Sequence, residues 1–288
     1  MFGFCNKKYS IDGKVVLLTG ALGSIGKNLA RSLVEKGAQV ALVGRQPVDT
    51  GNEFARVLNN GYEQPVALYF QVDLRKIDNI MPMFELVLRK LGRIDILINN
   101  AAVEPPLKLC ESSAFEEVAD AINVNLLAPI ELMRLFEKHV RHRTNKSQGV
   151  VVNVSSMLGL APMNTFEVYG ATKAALINLT RASRALAPQV RVSAIAPYHV
   201  LTPRMLDHLT KFNVSSARRM VALSMDQVCA TVIRCIQDTS NAGEIYTMIG
   251  DLTYTRTWAF ELAWMHIIFL FVVALLVAYV KRVFKRNN

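Results

Sequence analysis

Short runs of bulky apolar residues recur along most of the chain and predict strands that are buried on both faces. The first run, Lys14 to Thr19 (KVVLLT), shows no alternation of polar and apolar residues. Comparable runs predict further strands at 39–43, 66–71, 94–99, 150–154, 190–196 and 244–248.

Between these runs, apolar residues recur every three or four positions, which is the spacing of a helix with one buried face. Leu29 and Leu33 lie on the same face of a helix predicted over 25–36, and Gly37 ends it. The same periodicity predicts helices at 51–60, 75–91, 113–141, 167–187 and 226–238. Strands that alternate with helices predict right-handed crossovers and a parallel sheet covered on both faces, an α/β fold.

The last apolar run is longer than the others. Leu262 to Val280 (LAWMHIIFLFVVALLVAYV) contains one strongly polar residue, His266, and as a helix would extend about 28 Å, close to the hydrocarbon thickness of a bilayer. A core helix would keep a polar face, and this run has none. Aromatic residues flank it, as interfacial anchors do: Trp258, Trp264 and Tyr279. The pattern predicts a domain over 1–255 and a C-terminal membrane anchor with a basic tail over 256–288.

Charge and cysteine usage narrow the function classes. The formal net charge is +10, but the basic residues are scattered and no aromatic residues are interleaved with them. This argues against nucleic-acid binding and favours an anionic surface or cofactor. The four cysteines have no CxxC spacing and no nearby histidine, which indicates reduced thiols and no metal site. Lipidation of Cys5 is a less favoured alternative.

A glycine-rich turn follows the first predicted strand directly and opens the first helix. It reads TGALGSIG, with Gly20, Gly23 and Gly26 in GxxGxxG spacing. Glycines in this position permit a tight turn and let the backbone approach a pyrophosphate, which the first amides of the helix attract. Ser24 adds a hydroxyl donor, and Ile25 begins the helix. The turn predicts a dinucleotide site.

Four stretches in this order resemble the short-chain dehydrogenase/reductase family. They are TGALGSIG, NNAA at 99–102, VVNVSS at 151–156 and YGATK at 169–173, and the resemblance covers about residues 12–250. It implies a Rossmann-type doubly wound parallel sheet in a single domain, to which the predicted C-terminal transmembrane helix is added. It also implies an oxidoreductase, with a homodimer formed through the helices at 113–141 and 167–187.

The resemblance implies four catalytic residues: Tyr169, Lys173, Ser156 and Asn125. Tyr169 and Lys173 are four positions apart and therefore share one face of a helix. Tyr169 would be the acid in carbonyl reduction and the base in alcohol oxidation, with its pKa lowered by the lysine cation. Ser156 would hydrogen-bond the substrate oxygen, and Asn125 would anchor a proton-relay water.

The end of the second strand favours NADP(H) over NAD. The place where NAD enzymes commonly carry an acid is Gly44, and the next residue, Arg45, suits a 2′-phosphate. An NADP preference favours reduction. Besides the glycine turn, Arg45, Tyr169 and Lys173, the resemblance assigns these further cofactor contacts: Asp73, Leu74, Asn99, Ala101, Pro197, Val200 and Thr202.

Three positions depart from the usual family pattern. Gly23 comes one place early, with Ser24 where glycine is common, Ala102 replaces a glycine, and Tyr198 replaces the glycine of a Pro-Gly pair. These departures motivate the rival function, a non-catalytic NADP-binding membrane scaffold or sensor. The intact set of four catalytic residues favours the enzyme.

The segment from Pro203 to Ser224 is rich in apolar residues and is interpreted as a substrate lid. With the membrane anchor, it favours a lipid-like substrate: a steroid, a retinoid, a sphingoid ketone or a fatty acyl carbonyl. Ordinary packing explains the apolar residues equally well. The four candidates are not ranked.

The predicted membrane topology contains a conflict. The basic tail would place the enzyme in the lumen by the positive-inside rule, whereas tail anchoring would leave it facing the cytosol. We favour a single-pass protein of the endoplasmic reticulum whose domain faces the cytosol. A luminal enzyme would carry a glycan at Asn145 or Asn213.

Overall fold

The structure is a computed structural model that describes residues 8–104, 115–143, 148–164, 166–203, 205 and 222–256. Its described strands form one sheet. They are β1 Val15–Thr19, β2 Gln39–Gly44, β3 Ala67–Gln71, β4 Ile96–Asn99, β5 Gly149–Val154, β6 Val190–Pro197, β7 Ile245–Ile249 and β8 Leu252–Arg256. The strand order is β3-β2-β1-β4-β5-β6-β7-β8.

Helices lie between the strands along the described chain. They are α1 Ser24–Glu35, α2 Val48–Asn59, α3 Ile80–Leu91, α4 Phe115–Ile122, α5 Ala128–Arg141, α6 Glu167–Ala182 and α7 Met225–Gln237. Short 3-10 turns cover Ile77–Asn79, Met157–Gly159 and Ser183–Leu186. The predicted α/β fold is confirmed: this is a Rossmann-like domain with a parallel sheet.

β1 pairs with β2 on one side and with β4 on the other, so the strand order reverses direction at β1. Such a switch point leaves a crevice at the carboxyl ends of the strands, where ligands bind in open α/β sheets. We call the edge at which the parallel strands end the carboxyl edge and the opposite edge the amino edge. The carboxyl edge contains the last residues of β1, β4 and β5: Thr19, Asn99 and Val154.

Two helical layers cover the sheet because its strands are apolar on both faces. Leu29 and Leu33 of α1 and Val228 of α7 pack in the core on one face. Ile80 of α3 and Phe136 of α5 pack in the core on the other. The continuous apolar runs in the sequence are therefore explained by burial from both sides.

The helix predicted over 113–141 is interrupted between α4 and α5. Asn123–Leu127 form a short π-helix, in which the N–H of Ala128 donates to the carbonyl of Asn123. Pro129 has no N–H to give the carbonyl of Asn125, four residues earlier, so a regular α-helix cannot continue there. Asn125 therefore lies in the π-helical turn and not in the regular α-helical winding of α4 or α5.

β8 was not predicted from the sequence. It pairs antiparallel with β7, from Ile249 opposite Leu252 to Ile245 opposite Arg256. Leu252 is 70% exposed and Tyr254 is 40% exposed, so this strand has neither of the buried faces on which the strand predictions rested. Before the described residues end, the chain therefore returns to the level of Ile245, which pairs with Ala194 in the middle of β6.

Several sequence predictions fall outside the described residues. They are the membrane span at 262–280, the greater part of the lid at 203–224, Cys5, Cys110, and the sequons at Asn145 and Asn213. Of the helices that the structure does describe, none combines the length and the apolarity needed to cross a bilayer.

Candidate active site

The glycine-rich turn lies at the carboxyl edge, between β1 and α1. Gly20 has a φ of +64°, and a Cβ built on it would lie 2.8 Å from the Cα of Ala101. A Cβ on Gly26 would lie 2.2 Å from the carbonyl oxygen of Gly20. Both positions therefore require glycine, and Gly23 is the N-cap of α1, so no side chain shields the first amides of that helix. The geometry fits a nucleotide pyrophosphate.

The segment that follows β4 is fixed to the glycine turn by Thr19. The hydroxyl of Thr19 accepts hydrogen bonds from the N–H groups of Asn100 and Ala101, each at 3.0 Å. The amide of Asn100 donates to the carbonyls of Thr19 and Gly20 at 2.9 and 3.2 Å. Neither Thr19 nor Asn100 was predicted as a site residue, although Asn100 lies inside the NNAA stretch. Together they hold the turn against Ala101.

The structure brings Tyr169, Lys173 and Ser156 together beside the end of β5. The Nζ of Lys173 lies 5.5 Å from the centre of the Tyr169 ring and donates to the carbonyl of Val154 at 2.9 Å. Ser156 caps the 3-10 turn that follows β5, where its hydroxyl accepts from the N–H of Leu158 at 3.2 Å. Ser156 also hydrogen-bonds the Tyr169 phenol.

Burial controls the charge of this group. Burial raises the pKa of Tyr169 above its usual value, the negative charge of Glu104 raises it further, and the hydrogen bond with Ser156 opposes both. Lys173 is only 2% exposed, and burial lowers its pKa to about 8. The expected lowering of the tyrosine pKa is therefore not found, because removal of the phenolate from water outweighs its attractive contacts.

Glu104 is a site residue that the sequence analysis missed. Its charge raises the pKa of both Tyr169 and Lys173. Glu104 follows Val103, whose backbone N–H and carbonyl both hydrogen-bond the side chain of Asn125. Its position directly after NNAAV was the available signal, but 65 positions separate it from Tyr169, and spacing alone could not connect them.

Asn125 is fully buried and uses its side chain for structure. Its Oδ1 accepts from the N–H of Val103 at 2.9 Å, and its Nδ2 donates to the carbonyl of Val103 at 2.8 Å. The same Nδ2 lies 3.2 Å from the hydroxyl of Thr172, which in turn donates to the carbonyl of Tyr169 at 2.7 Å. Asn125 thus ties the segment after β4 to the helix that contains Tyr169.

A chain of buried polar side chains connects β4 to α6. The amide of Asn99 donates to Oδ1 of Asn153 at 2.8 Å, and the amide of Asn153 donates to the hydroxyl of Thr180 at 2.9 Å. Among the residues that the structure describes, no donor reaches Oδ1 of Asn99, which is buried. An acceptor in this position fits the polar edge of a nucleotide.

The predicted 2′-phosphate residue, Arg45, is exposed and lies beyond the end of β2. It lines a cleft of about 680 Å³ together with Gln71, Asp73 and Arg75. Arg75 pairs with Asp73 at 2.7 Å and with Asp120 at 3.3 Å, and its hydrogen bonds hold the pKa of Asp73 below the usual value. Leu74 is buried beside them.

The remaining predicted contacts follow β6. Pro197 is the last residue of β6, and Val200 is bridged to Leu223. The hydroxyl of Thr202 accepts from the N–H of Met205 at 3.1 Å. Tyr198 is half-buried, its ring centre lies 4.1 Å from that of His199, and its N–H donates to the carbonyl of Met248. The ring of Tyr198 therefore occupies space that a glycine would leave open.

Comparisons with known proteins agree with this geometry. Residues 14–212 match the short chain dehydrogenase family. The chain is 31% identical over 193 residues to L-fucose dehydrogenase of Oryctolagus cuniculus, a match that covers 66% of this chain and 64% of that enzyme. It is 32% identical over 197 residues to 15-hydroxyprostaglandin dehydrogenase (NAD(+)) of Homo sapiens, covering 67% and 70% of the two chains.

A solved structure of L-sorbose reductase from Gluconobacter frateurii, complexed with NADPH and L-sorbose, superposes with a TM-score of 0.74 at 25% identity. The superposition covers 84% of this chain and 97% of that one. Because the family match extends over more than half of the sequence, the chain belongs to the short chain dehydrogenase family.

Proposed function

We propose that this protein is an NADP(H)-dependent carbonyl reductase or alcohol dehydrogenase in which Tyr169 transfers the proton. The observation on which the proposal rests is the cluster of Tyr169, Ser156 and Lys173 next to a turn shaped for pyrophosphate. A nicotinamide nucleotide, when bound, supplies or accepts the hydride. The residues of this chain bind it, orient the carbonyl and move the proton.

Tyr169 keeps its proton at neutral pH, as an acid in the reductive direction must, although its raised pKa makes the phenol a weaker acid. A phenol that keeps its proton at neutral pH can donate it as negative charge develops on the substrate oxygen. The hydroxyl of Ser156 stabilises that oxygen by a second hydrogen bond. Lys173, with a pKa of about 8, carries its positive charge in most of the population at neutral pH and thereby favours the phenolate.

Asn125 supports the proton path through its backbone. Its side chain is occupied by Val103 and Thr172, and Pro129 withholds the α-helical donor from its carbonyl. That carbonyl is therefore the atom of Asn125 that would hold a relay water between bulk solvent and Lys173. The role given to Asn125 by the family resemblance is thus assigned to the main chain.

NADP(H) is favoured over NAD by the residues at the end of β2. Gly44 offers no carboxylate, and the exposed Arg45 can pair with a 2′-phosphate in the cleft that it lines with Asp73. The cofactors named with the similar proteins differ: NAD(+) for the human dehydrogenase and NADPH for the sorbose reductase. The cofactor contacts are proposed as predicted, with Thr19 and Asn100 added as supports of the turn.

The substrate is proposed to be lipid-like, and the domain over 1–255 to be tethered by the span at 262–280. A hydroxylated lipid is named in one relative, 15-hydroxyprostaglandin dehydrogenase. A membrane anchor would concentrate such substrates near the enzyme. We place the protein in the endoplasmic reticulum with its domain in the cytosol, as a homodimer by family resemblance.

Nucleotide binding by the full chain in detergent tests the cofactor assignment. We expect NADPH to bind at least tenfold more tightly than NADH, equivalent to about 1.4 kcal/mol. Arg45→Ala should remove this preference, because the 2′-phosphate loses its cation, whereas Arg56→Ala, on the exposed face of α2, should keep it. Equal affinity for both nucleotides in the wild type would contradict the NADP assignment.

Turnover of lipid ketones by the same preparation tests the reaction. Tyr169→Phe should lower kcat by roughly 10²–10⁴-fold, because it removes the proton donor. Tyr62→Phe, at an exposed tyrosine, is the matched control. Tight nucleotide binding with no turnover of any carbonyl or alcohol would favour the scaffold or sensor instead.

A further inference from the structure

The residue proposed to bind the 2′-phosphate, Arg45, lies in the short loop between β2 and α2. Its side chain is exposed, and an exposed arginine has many accessible rotamers. Pairing with a phosphate fixes those rotamers at a cost in free energy, so a backbone that is already in place improves the binding. Two hydrogen bonds hold the residues on either side of Arg45.

The residue before Arg45 is held through the main chain. Gly44 is opposite Gln71 in the last pair of the parallel ladder between β2 and β3. Its carbonyl accepts from the N–H of Val72, the residue that follows β3, at 2.7 Å. The sheet therefore fixes the point at which the chain enters the loop.

The residue after Arg45 is held by a side chain of β3. The hydroxyl of Tyr69 donates to the carbonyl of Gln46 at 2.7 Å. Burial raises the pKa of this phenol, although the hydrogen bond to Gln46 acts in the opposite direction, so Tyr69 remains a donor at neutral pH. Arg45 thus lies between two carbonyl groups that are both fixed to the neighbouring strand.

Two glycines make room for this contact. A Cβ on Gly51, in the first turn of α2, would overlap the ring of Tyr69. A Cβ on Gly44 would lie 3.3 Å from the Tyr69 hydroxyl and 2.8 Å from Oε1 of Gln46. The position at which NAD enzymes commonly carry an acid is therefore taken up by the side chains that hold the loop.

The far end of α2 is attached to β3 independently of Tyr69. Oδ1 of Asn59 accepts from the N–H groups of Val66 and Ala67 at 2.9 and 2.8 Å, and its amide donates to the carbonyl of Ala67 at 3.0 Å. Loss of the Tyr69 hydroxyl should therefore loosen the loop and leave the helix in place.

We propose that Tyr69 is a positioning residue for NADP(H) specificity. Its hydroxyl holds the Gln46 carbonyl and thereby places the backbone of Arg45 for pairing with the 2′-phosphate. NAD has no 2′-phosphate, so its binding does not depend on this hydroxyl. The inference rests on the NADP(H) preference in the proposed function, but not on the reaction or the substrate.

Nucleotide affinities of the full chain in detergent test this role. Tyr69→Phe removes only the hydroxyl, and we expect the Kd for NADPH to rise about fivefold, as for the loss of one hydrogen bond, with the Kd for NADH unchanged. In an Arg45→Ala background the same substitution should change neither Kd. Tyr62→Phe, at an exposed tyrosine in the loop after α2, is the control and should behave as the wild type.

The outcomes separate this inference from the cofactor assignment. A wild-type preference for NADPH that Tyr69→Phe leaves intact overturns the positioning role and leaves the NADP(H) assignment standing. Weaker binding of both nucleotides indicates a role in the fold alone and also overturns it, as does an effect that persists without Arg45. Equal affinity of the wild type for NADPH and NADH contradicts the NADP(H) assignment, and the positioning role falls with it.

Discussion

Each edge of the sheet buries a charged side chain, but the two side chains have different partners. At the amino edge, Asp95 is 2% exposed and accepts from Arg93 at 2.9 Å, from Arg143 at 3.1 Å and from the N–H of Val15 at 2.9 Å. At the carboxyl edge, the equally buried Lys173 has a backbone carbonyl as its hydrogen-bond acceptor. The amino edge pairs its buried carboxylate with two arginines. At the carboxyl edge, burial lowers the pKa of the lysine instead.

The difference separates a structural cluster from a chemical one. The buried carboxylate of Asp95, with two guanidinium partners and the N–H of Val15, holds the loops before β1 and β4 in place. At the carboxyl edge, burial lowers the pKa of Lys173 to about 8 and raises the pKa of Tyr169, and shifts of this kind cluster at functional sites.

Removal of the charge at the amino edge should have the largest effect on stability. Asp95→Asn keeps the size of the side chain but leaves Arg143 and Arg93 without their carboxylate, so we expect a loss of about 3 kcal/mol or more in the free energy of unfolding. Urea unfolding of the full chain measures this loss. Glu131→Gln, which breaks an exposed pair with Arg134 on α5, should cost less than about 1 kcal/mol. Equal losses in the two variants would contradict the comparison.

At the carboxyl edge, the effect of Lys173 on stability should depend on pH. Burial lowers its pKa from the usual 10.5 to about 8, so the unfolded chain binds more protons between these values and stability rises with pH there. Relative to Lys173→Met, the wild type should gain up to about 3 kcal/mol between pH 8 and 10.5. Lys36→Met, at an exposed lysine, serves as the control and should show no such trend. A flat difference across this range would refute the buried-cation account.

The smallest expected effect concerns His139, which accepts from Ile94 beside the amino-edge cluster. Burial and the charge of Arg143 lower its pKa to about 4, while Asp95 acts in the opposite direction. The folded protein thus prefers neutral histidine, and stability should fall as pH drops from 6.5 towards 4. Relative to His139→Gln, the wild type should lose roughly 1–2 kcal/mol over that range, measured by urea unfolding at each pH. His142→Gln, at an exposed histidine one residue beyond α5, provides the comparison; a similar loss in both would argue against a specific role for His139.

The sequence predicted the seven parallel strands because each is apolar on both faces and therefore recognisable from composition alone. It missed β8 because an exposed edge strand, such as the one containing Leu252 and Tyr254, has no buried face to mark it. It predicted the positions of Tyr169, Lys173 and Ser156 through short motifs. It gave the wrong direction for the tyrosine pKa, because burial and the charge of Glu104 depend on packing between segments that are distant in the chain.

The π-helix between α4 and α5 also has a consequence for how the chain tolerates change in length. A π-helical turn contains one more residue than an α-helical turn, so the helix absorbs the extra residue within 123–127. Leu132 and Phe136 of α5 therefore keep their packing in the core while Asn125 is set against Val103. Deleting one residue from 123–127 should displace Asn125 from Val103, so a change of length at this point should alter the site before it alters the packing of α5.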